Sequence, residues 1–374
     1  MLVFLRRNSL PLAIQIVVNG TKFGFSNFYP NSDKEANLPA HLRHDTLPVL
    51  PAPHNFSKCH FTTSGLQNGA NSLSRRFNLF EDTRPKLRFG DKKNYNSSED
   101  FDGLSGVPHI IHQVYHIGII SIVYKEWMRT WLKKNPGWQY WFWTMEDINR
   151  LINTRFTNFK RSFHSYKLDI QRYDSFRYFA LYEYGGFYAD LDVECLRPLD
   201  AKLAEHDCFL SVEPYIQSLI LYRKERLLSN GIMACRPRHP FFQYAADSLT
   251  RDNRLLSTDA VRSTGPWMLD SSYNEFSCVY PKYAPHIADD YIFQPLSDPR
   301  WYGHFTQECN KIVKDKNKQR EIKLCQPYLN GHKPKPSNQS LTTHYWVHSY
   351  LSNSANDQFG LHGEKRTFHA KDLY

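Results

Sequence analysis

Tyr184-Gly185-Gly186-Phe187-Tyr188-Ala189-Asp190-Leu191-Asp192 is the stretch on which the reading of this chain turns. The run Ile170 to Tyr184 ahead of it has helical character, and paired glycines accept the left-handed backbone with which helices often end. Phe187, Tyr188 and Leu191 then suit a buried strand, so Asp190 and Asp192 fall at a strand's end. In extended chain, residues two apart point to one side, which lets both carboxylates face one cation while Leu191 enters the core. Two hard oxygen donors leave positions open. That suits Mg2+ or Mn2+ when the remaining ligands are phosphates and water, and the stretch reads as a metal and diphosphate site.

Taken alone, Asp-x-Asp is common and usually does no more than close a strand. The upstream run Gln171-Arg172-Tyr173-Asp174-Ser175-Phe176-Arg177-Tyr178-Phe179-Ala180-Leu181-Tyr182 changes its weight. At about 100° per residue, Asp174 and Arg177 share a helix face with Leu181 and Tyr184, whereas Arg172 lies on the opposite side unless it precedes the helix. As a mere surface ion pair, Asp174 and Arg177 would contribute a few tenths of a kcal/mol.

The ordered set Arg172-x-Asp174-x-x-Arg177-Tyr178, Leu181-Tyr182 and Tyr184-Gly185-Gly186-x-Tyr188-x-Asp190-x-Asp192 resembles the DXD sugar-binding region of glycosyltransferase family 32, in particular its inositol-phosphoceramide mannosyltransferase type. Further pieces are similar in the same order: Pro108-His109-Ile110-Ile111-His112-Gln113, Asn135-Pro136-Gly137-Trp138-Gln139-Tyr140 with Trp143-Thr144, and Cys195-Leu196-Arg197-Pro198-Leu199-Asp200. The resemblance covers about residues 107–350. It implies a GT-A fold, an α/β class with a Rossmann-like, mainly parallel sheet and flanking helices, and a metal-dependent retaining transferase. Asp190 and Asp192 would be shared between metal and ribose or sugar. Arg172 or Arg177 would assist the departing diphosphate, Asp174 would contact nucleotide or donor sugar, and Tyr188 would stand on the donor side. Asn230-Gly231-Ile232-Met233 resembles the family's acceptor-side element, though Asn-Gly is also a generic turn ahead of a strand. Ser263-Thr264-Gly265-Pro266 resembles its loop before a helix, where Gly265 would offer backbone N–H groups to an anion. His344-Tyr345-Trp346-Val347-His348-Ser349-Tyr350 resembles its closing element, with Tyr350 in place of a Trp. His344 and Ser349 would come near metal or diphosphate, and Trp346 near the nucleotide. Tyr173, Ser175 and Phe176 depart from the small and aliphatic residues associated with that stretch, which bears on donor identity.

Composition is compatible with this. The 374 residues carry 47 Lys and Arg against 37 Asp and Glu, a formal charge of +10, which attracts anionic partners. No dense basic helix, zinc-finger spacing or RNA-binding aromatic signature points to nucleic acid, and a nucleotide diphosphate or anionic lipid headgroup accounts for the sign equally well. Seven cysteines show no C-x-x-C spacing; Cys309 and Cys325 bracket a charged loop and suit a local bridge if the chain is lumenal, and the odd number leaves at least one thiol free or paired between chains. Sequons begin at Asn19, Asn55, Asn96 and Asn338. These features favour a Golgi or other secretory-pathway lumen, with association to a membrane surface.

Residues 1–18 read as a signal segment or a truncated anchor, too short and too interrupted by Pro11 and Gln15 to span about 30 Å of bilayer. Residues 19–106, rich in Asn, Ser, Pro and charge, read as a stem-like arm. The domain is expected over 107–350, with a tail over 351–374. Within it, strand 107–114, helix 124–134, strand 139–143 and a helix capped by Thr144 and Asp147 alternate as in a parallel α/β sheet, whose ligands bind beyond the carboxyl ends of the strands. Strands are also expected at 208–212 and after the Asn230-Gly231 turn, and a helix at 240–249.

The expected function is sugar transfer from a nucleotide-sugar donor to a glycolipid or glycan acceptor, with GDP-mannose the favoured donor. UDP-galactose, UDP-glucose and UDP-N-acetylglucosamine are the alternatives. A non-catalytic sugar or nucleotide binder and a metal-dependent phosphohydrolase are the rival classes. The hydrolase is disfavoured because a two-metal site needs more acidic or His ligands than one strand end supplies.

Overall fold

A computed structural model of the chain describes residues 14–18, 21–25, 82–89, 106–116, 118–199, 206–250, 258–332, 334–347 and 367–373. The strands, in chain order, are β1 (Ile14–Val18), β2 (Thr21–Phe25), β3 (Leu87–Phe89), β4 (Ile110–Val114), β5 (Ile119–Ser121), β6 (Gln139–Trp143), β7 (Gly186–Ala189), β8 (Val193–Cys195), β9 (Cys208–Val212), β10 (Leu228–Cys235), β11 (His286–Ile287), β12 (Thr342–His344) and β13 (Thr367–His369). Seven of them form one sheet in the order β11-β9-β10-β7-β4-β6-β3. Five run in one direction, and only β10 and β3 pair antiparallel to their neighbours. This is the mainly parallel α/β sheet with flanking helices expected from the alternation of elements.

Side chains alternate between two cores, as the pleat requires. Trp141, Trp143, Tyr188 and Leu210 enter one hydrophobic cluster, while Tyr140, Phe142, Phe187 and Phe209 enter the other. The first cluster also takes in residues of helices Met145–Arg155, Asp169–Tyr184, Pro240–Ser248 and Pro266–Val279; the second takes in Tyr124, Met128 and Trp131 of helix Val123–Lys134. The Thr144 cap is present: Asp147 N–H donates to Thr144 Oγ1 and Thr144 N–H to Asp147 Oδ2, at 3.4 and 3.1 Å.

Chain order creates the site. From β4 the chain crosses through Val123–Lys134 to β6 on one side, then returns through Asp169–Tyr184 to β7 on the other. The crossovers diverge between β4 and β7, where an open α/β sheet leaves a crevice beyond its carboxyl ends. Gly185 and Gly186 make the return tight. Their φ values are +63° and +95°, and a Cβ would stand 2.6 Å from Pro237 N or from Ile110 O respectively. His112 accepts from Trp143 Nε1 (3.0 Å) and donates to Gly185 O (2.8 Å). Burial pushes that imidazole down to about 4, so it serves as a neutral clamp.

The body takes in segments on both sides of 107–350. β3 adds the edge strand next to β6, and β13 pairs with β5 while Phe368 and Leu373 enter the core. Asn230-Gly231 differs from the turn expected ahead of a strand: it lies inside β10, where the register against β9 shifts between Ser229 and Met233. Such bulges re-aim side chains beside active sites. The expected Cys309–Cys325 bridge joins helices Tyr302–Ile312 and Gln319–Leu329. Cys208–Cys235 forms a second bridge between directly paired residues of β9 and β10, Cys278 is also bridged, and Cys195 is a buried free thiol. Among the described residues no helix is long and apolar enough to cross a membrane.

Candidate active site

Asp190 follows β7 at the crevice, and its carbonyl oxygen accepts from Gln113 Nε2 of β4 (2.8 Å) and from Val193 N–H (3.1 Å). The second bond closes a turn over Asp190-Leu191-Asp192. The two carboxylates therefore converge through a turn, where alternation along an extended strand had been the expected cause. After the turn β8 pairs with β12, and the register sets His344 opposite Val193. Ligand atoms of Asp190, Asp192 and His344 consequently lie within 4.8 Å of one another.

His344 is oriented from behind. Gln294 spends its amide nitrogen on Ser211 Oγ and Val212 O, so its Oε1 faces His344 Nδ1 at 3.2 Å as an acceptor. That leaves Nε2 toward Asp192 Oδ1, at 3.1 Å. Burial alone would lower the His344 pKa, but Asp192, Asp190 and Glu213 outweigh it and hold it above the usual value. Asp192 Oδ2 also accepts from Val347 N–H at 2.7 Å. Trp346, with φ +58°, stacks on the His344 ring at 4.2 Å and donates to Leu296 O.

Arg177 ties the helix to the turn. It reaches Asp190 Oδ1 at 2.9 Å, Asp174 Oδ1 at 3.2 Å and Asn230 O at 3.1 Å, over the Tyr188 ring. Asp174 in turn accepts from Asn230 Nδ2 and Thr264 Oγ1, both at 2.9 Å, while Tyr188 donates to Asp190 Oδ1 at 2.9 Å. Burial raises the pKa of Asp174 and Asp190 even against Arg177. For Arg177 the carboxylates win over burial and hold it well above its ordinary range.

This donor set fits a divalent cation. Two carboxylates and an imidazole nitrogen converge, Gln294 fixes the tautomer that frees Nε2, and burial with like charge makes the carboxylates costly without a counter-ion. Space is kept for ligands as well: a Cβ on Gly231 would stand 2.9 Å from Asp190 Oδ2 and 3.6 Å from His344 Cε1.

Asp174, Arg177, Tyr188, Asp190, Asp192, Asn230, Gly231, His344 and Trp346 thus form one connected cluster. Arg172 does not join it. As its opposite position on the helix implies, it turns to Asp169 Oδ1 (2.8 Å) and Tyr166 O. Gly265 offers no free N–H, since that group donates to Ala260 O at 2.8 Å, and a Cβ would meet Ala260 O at 3.1 Å. The contact from this loop comes from Thr264. Ser349 lies outside the described residues.

Sequence reasoning passed over Gln113, Thr264, Gln294 and Glu213. Glu213 was the most legible, because it follows β9 at the same sheet end at which Asp190 follows β7. Burial pushes its carboxyl up to about 7 against hydrogen bonds from Ser229 and Gln217. A carboxyl raised in the fold costs stability as pH climbs from its unfolded pKa toward the folded one. Glu213→Gln is therefore expected to raise Tm relative to the parent at pH 8 and to change it little at pH 4. The expected gain in unfolding free energy at pH 8 is on the order of 3 kcal/mol, and denaturation across this range would show the opposite if the carboxylate were stabilising.

Residues 123–210 match the family described as glycosyltransferase sugar-binding region containing DXD motif. The chain is 33% identical over 177 residues to inositol phosphoceramide mannosyltransferase 1 of Schizosaccharomyces pombe, covering 46% of this chain and 52% of that protein. It is 34% identical over 173 residues to a mannosyl phosphorylinositol ceramide synthase of Saccharomyces cerevisiae, covering 46% and 42%. The chain thus spans about half the length of the curated relatives it matches. Among solved structures, the PaToxG glycosyltransferase covers 60% of this chain and 86% of its own, with a TM-score of 0.35 and 14% identity, too loose a likeness to carry an argument.

Proposed function

We propose that this chain is a metal-dependent retaining glycosyltransferase that moves mannose from GDP-mannose to an anionic glycolipid. The convergence of Asp190, Asp192 and His344 at the β4/β7 crevice, with Gly231 keeping a side chain off the Asp190 carboxylate, carries the reading. The matched DXD region and the names of the relatives supply the reaction class, the sugar and the acceptor class.

A bound Mn2+ or Mg2+ would act as a Lewis acid on the diphosphate whose negative charge grows as the glycosidic bond breaks. Asp190, Asp192 and the Nε2 of a neutral His344 would hold the cation. Arg177 fixes the angle of Asp190 and presents positive charge at the same edge. Asp174, buried behind Arg177, keeps Asn230 and Thr264 in place. No side chain of this cluster is needed as general base if the departing phosphate takes the acceptor's proton, as in the retaining enzymes that the chain resembles. The Cys208–Cys235 and Cys309–Cys325 bridges suit an oxidising lumen, and a Golgi location with membrane-surface association belongs to the same proposal.

Thermal-shift screening of sugar nucleotides with Mn2+ tests it. A donor at a hundred times its Kd stabilises by about 2.7 kcal/mol, and GDP-mannose is expected to do so only with the metal. Stabilisation by UDP-sugars instead would overturn the donor assignment. Indifference to every sugar nucleotide would overturn the transferase.

A further inference from the structure

One cavity lies outside the cation cluster and has a different chemistry. It measures about 410 Å3, within the range of small-molecule sites, and is lined by Tyr215, Lys224, Glu225, Arg226, Asp270, Asn274 and Arg320. Its charges are unevenly matched. Asp270 is committed to Lys224 Nζ (2.5 Å), to Leu228 N–H (3.3 Å) and to Asn274 Nδ2 (3.4 Å). Lys224 is further pinned over the Trp267 ring at 4.1 Å. By contrast, Arg226 and Arg320 have no carboxylate within ion-pair distance among the described residues; they lie over the rings of Tyr273 and Tyr215, each at 5.6 Å. Of the cavity's carboxylates, only Glu225 remains uncommitted against these two guanidiniums.

We propose that this cavity binds a phosphate group carried on a polyol. Guanidinium forks grip phosphate oxygens in pairs, and stacking on aromatic rings holds them at fixed angles before the anion arrives. The Tyr215 ring supplies a flat wall, and the Tyr215 hydroxyl oxygen, whose proton goes to Asp289 Oδ1 at 3.1 Å, and the Asn274 side-chain carbonyl supply acceptors for a ring of hydroxyls. The walls are braced: Tyr215 N–H donates to Asp290 Oδ2 at 2.9 Å, and the helix bearing Arg320 is stapled by Cys309–Cys325.

Its position gives the site a role that rests on the transferase reading. Arg226 is four residues from Asn230, at most about 14 Å of chain, and Tyr215 is two residues from Glu213, which follows β9 at the sheet end where Asp190 follows β7. The cavity therefore lies at the sheet end that carries the cation cluster. There it would hold the acceptor's phosphate while the donor's diphosphate meets the metal.

Calorimetry on the full chain with glycerophosphoinositol, inorganic phosphate and myo-inositol tests the proposal, alongside flotation with phosphatidylcholine vesicles with and without phosphatidylinositol. The parent is expected to bind the phosphorylated polyol, more weakly phosphate, and not inositol alone. The double variant R226Q/R320Q should lose at least about tenfold in affinity. Retention on phosphatidylinositol vesicles that the double variant loses identifies a lipid headgroup; binding of the soluble ester without retention on vesicles identifies a free phosphate ester. Absence of both, or unchanged affinity in the double variant, overturns the proposal. The thermal response to GDP-mannose and Mn2+ should persist in the double variant. If the parent lacks that response yet binds the ester, the transferase reading fails and the phosphate site stands.

Discussion

Asp192→Asn is expected to lower Mn2+-dependent turnover by about 1,000-fold or more while leaving the chain folded. Asp192 Oδ1 faces His344 Nε2, and Oδ2 accepts from Val347 N–H. An asparagine in this position keeps one oxygen for Val347 and turns its amide toward the imidazole, so the packing between β8 and β12 survives. What disappears is one of two carboxylate charges available to a cation and the largest of the charges that raise the His344 pKa. Turnover with Mn2+ and a melting curve on one preparation separate these effects. Full activity in the variant would remove Asp192 from the metal site and leave the fold untouched.

Arg177→Met is expected to cost about 3–5 kcal/mol of stability at pH 7. Arg177 is buried and serves Asp174, Asp190 and the Asn230 carbonyl together, so its loss strands two carboxylates in the interior. The deficit should depend on pH. Burial already raises both carboxyl groups, and without the guanidinium they rise further. The penalty is therefore smaller near pH 4, where the carboxyl groups are closer to neutral, and grows toward pH 8. Arg177→Lys should recover only part, because one ammonium cannot reach three acceptors set at different angles. Urea denaturation at the two pH values checks this, and a deficit that does not change between them would contradict it.

Local chemistry was legible where a short stretch settles it. Gly185-Gly186 announced both the end of a helix and a tight return, and Thr144 with Asp147 announced a capped start. Alternating aromatics in Gln139–Trp143 matched a strand buried on both faces. The site was legible only where residue types point to chemistry, as at Asp190, Asp192, Asp174 and Arg177. Periodicity also placed Arg172 on the far side of the helix, while resemblance drew it toward the diphosphate; the geometry follows the periodicity.

The remaining parts depend on pairings between distant segments. Gln294 carries no local signal and matters because β9 and β12 bring it between Ser211 and His344. Asn230-Gly231 reads locally as a turn, and only its neighbours β9 and β7 make it a bulge in the middle of a strand. The Cys208–Cys235 bridge likewise follows from the register of β9 against β10. Leu87–Phe89 and Thr367–His369 are too short to announce themselves, and each acquires its strand conformation from the partner it pairs with.

Metal-dependent transfer of a hexose is the central claim, and mass spectrometry of the acceptor measures it most directly. With GDP-mannose, Mn2+ and an inositol-phosphate glycolipid, the acceptor is expected to gain the mass of one hexose, and chelation of the metal or Asp192→Asn should abolish the gain. Transfer that proceeds equally in chelator, or no transfer from any GDP- or UDP-sugar in the presence of metal, would contradict the account.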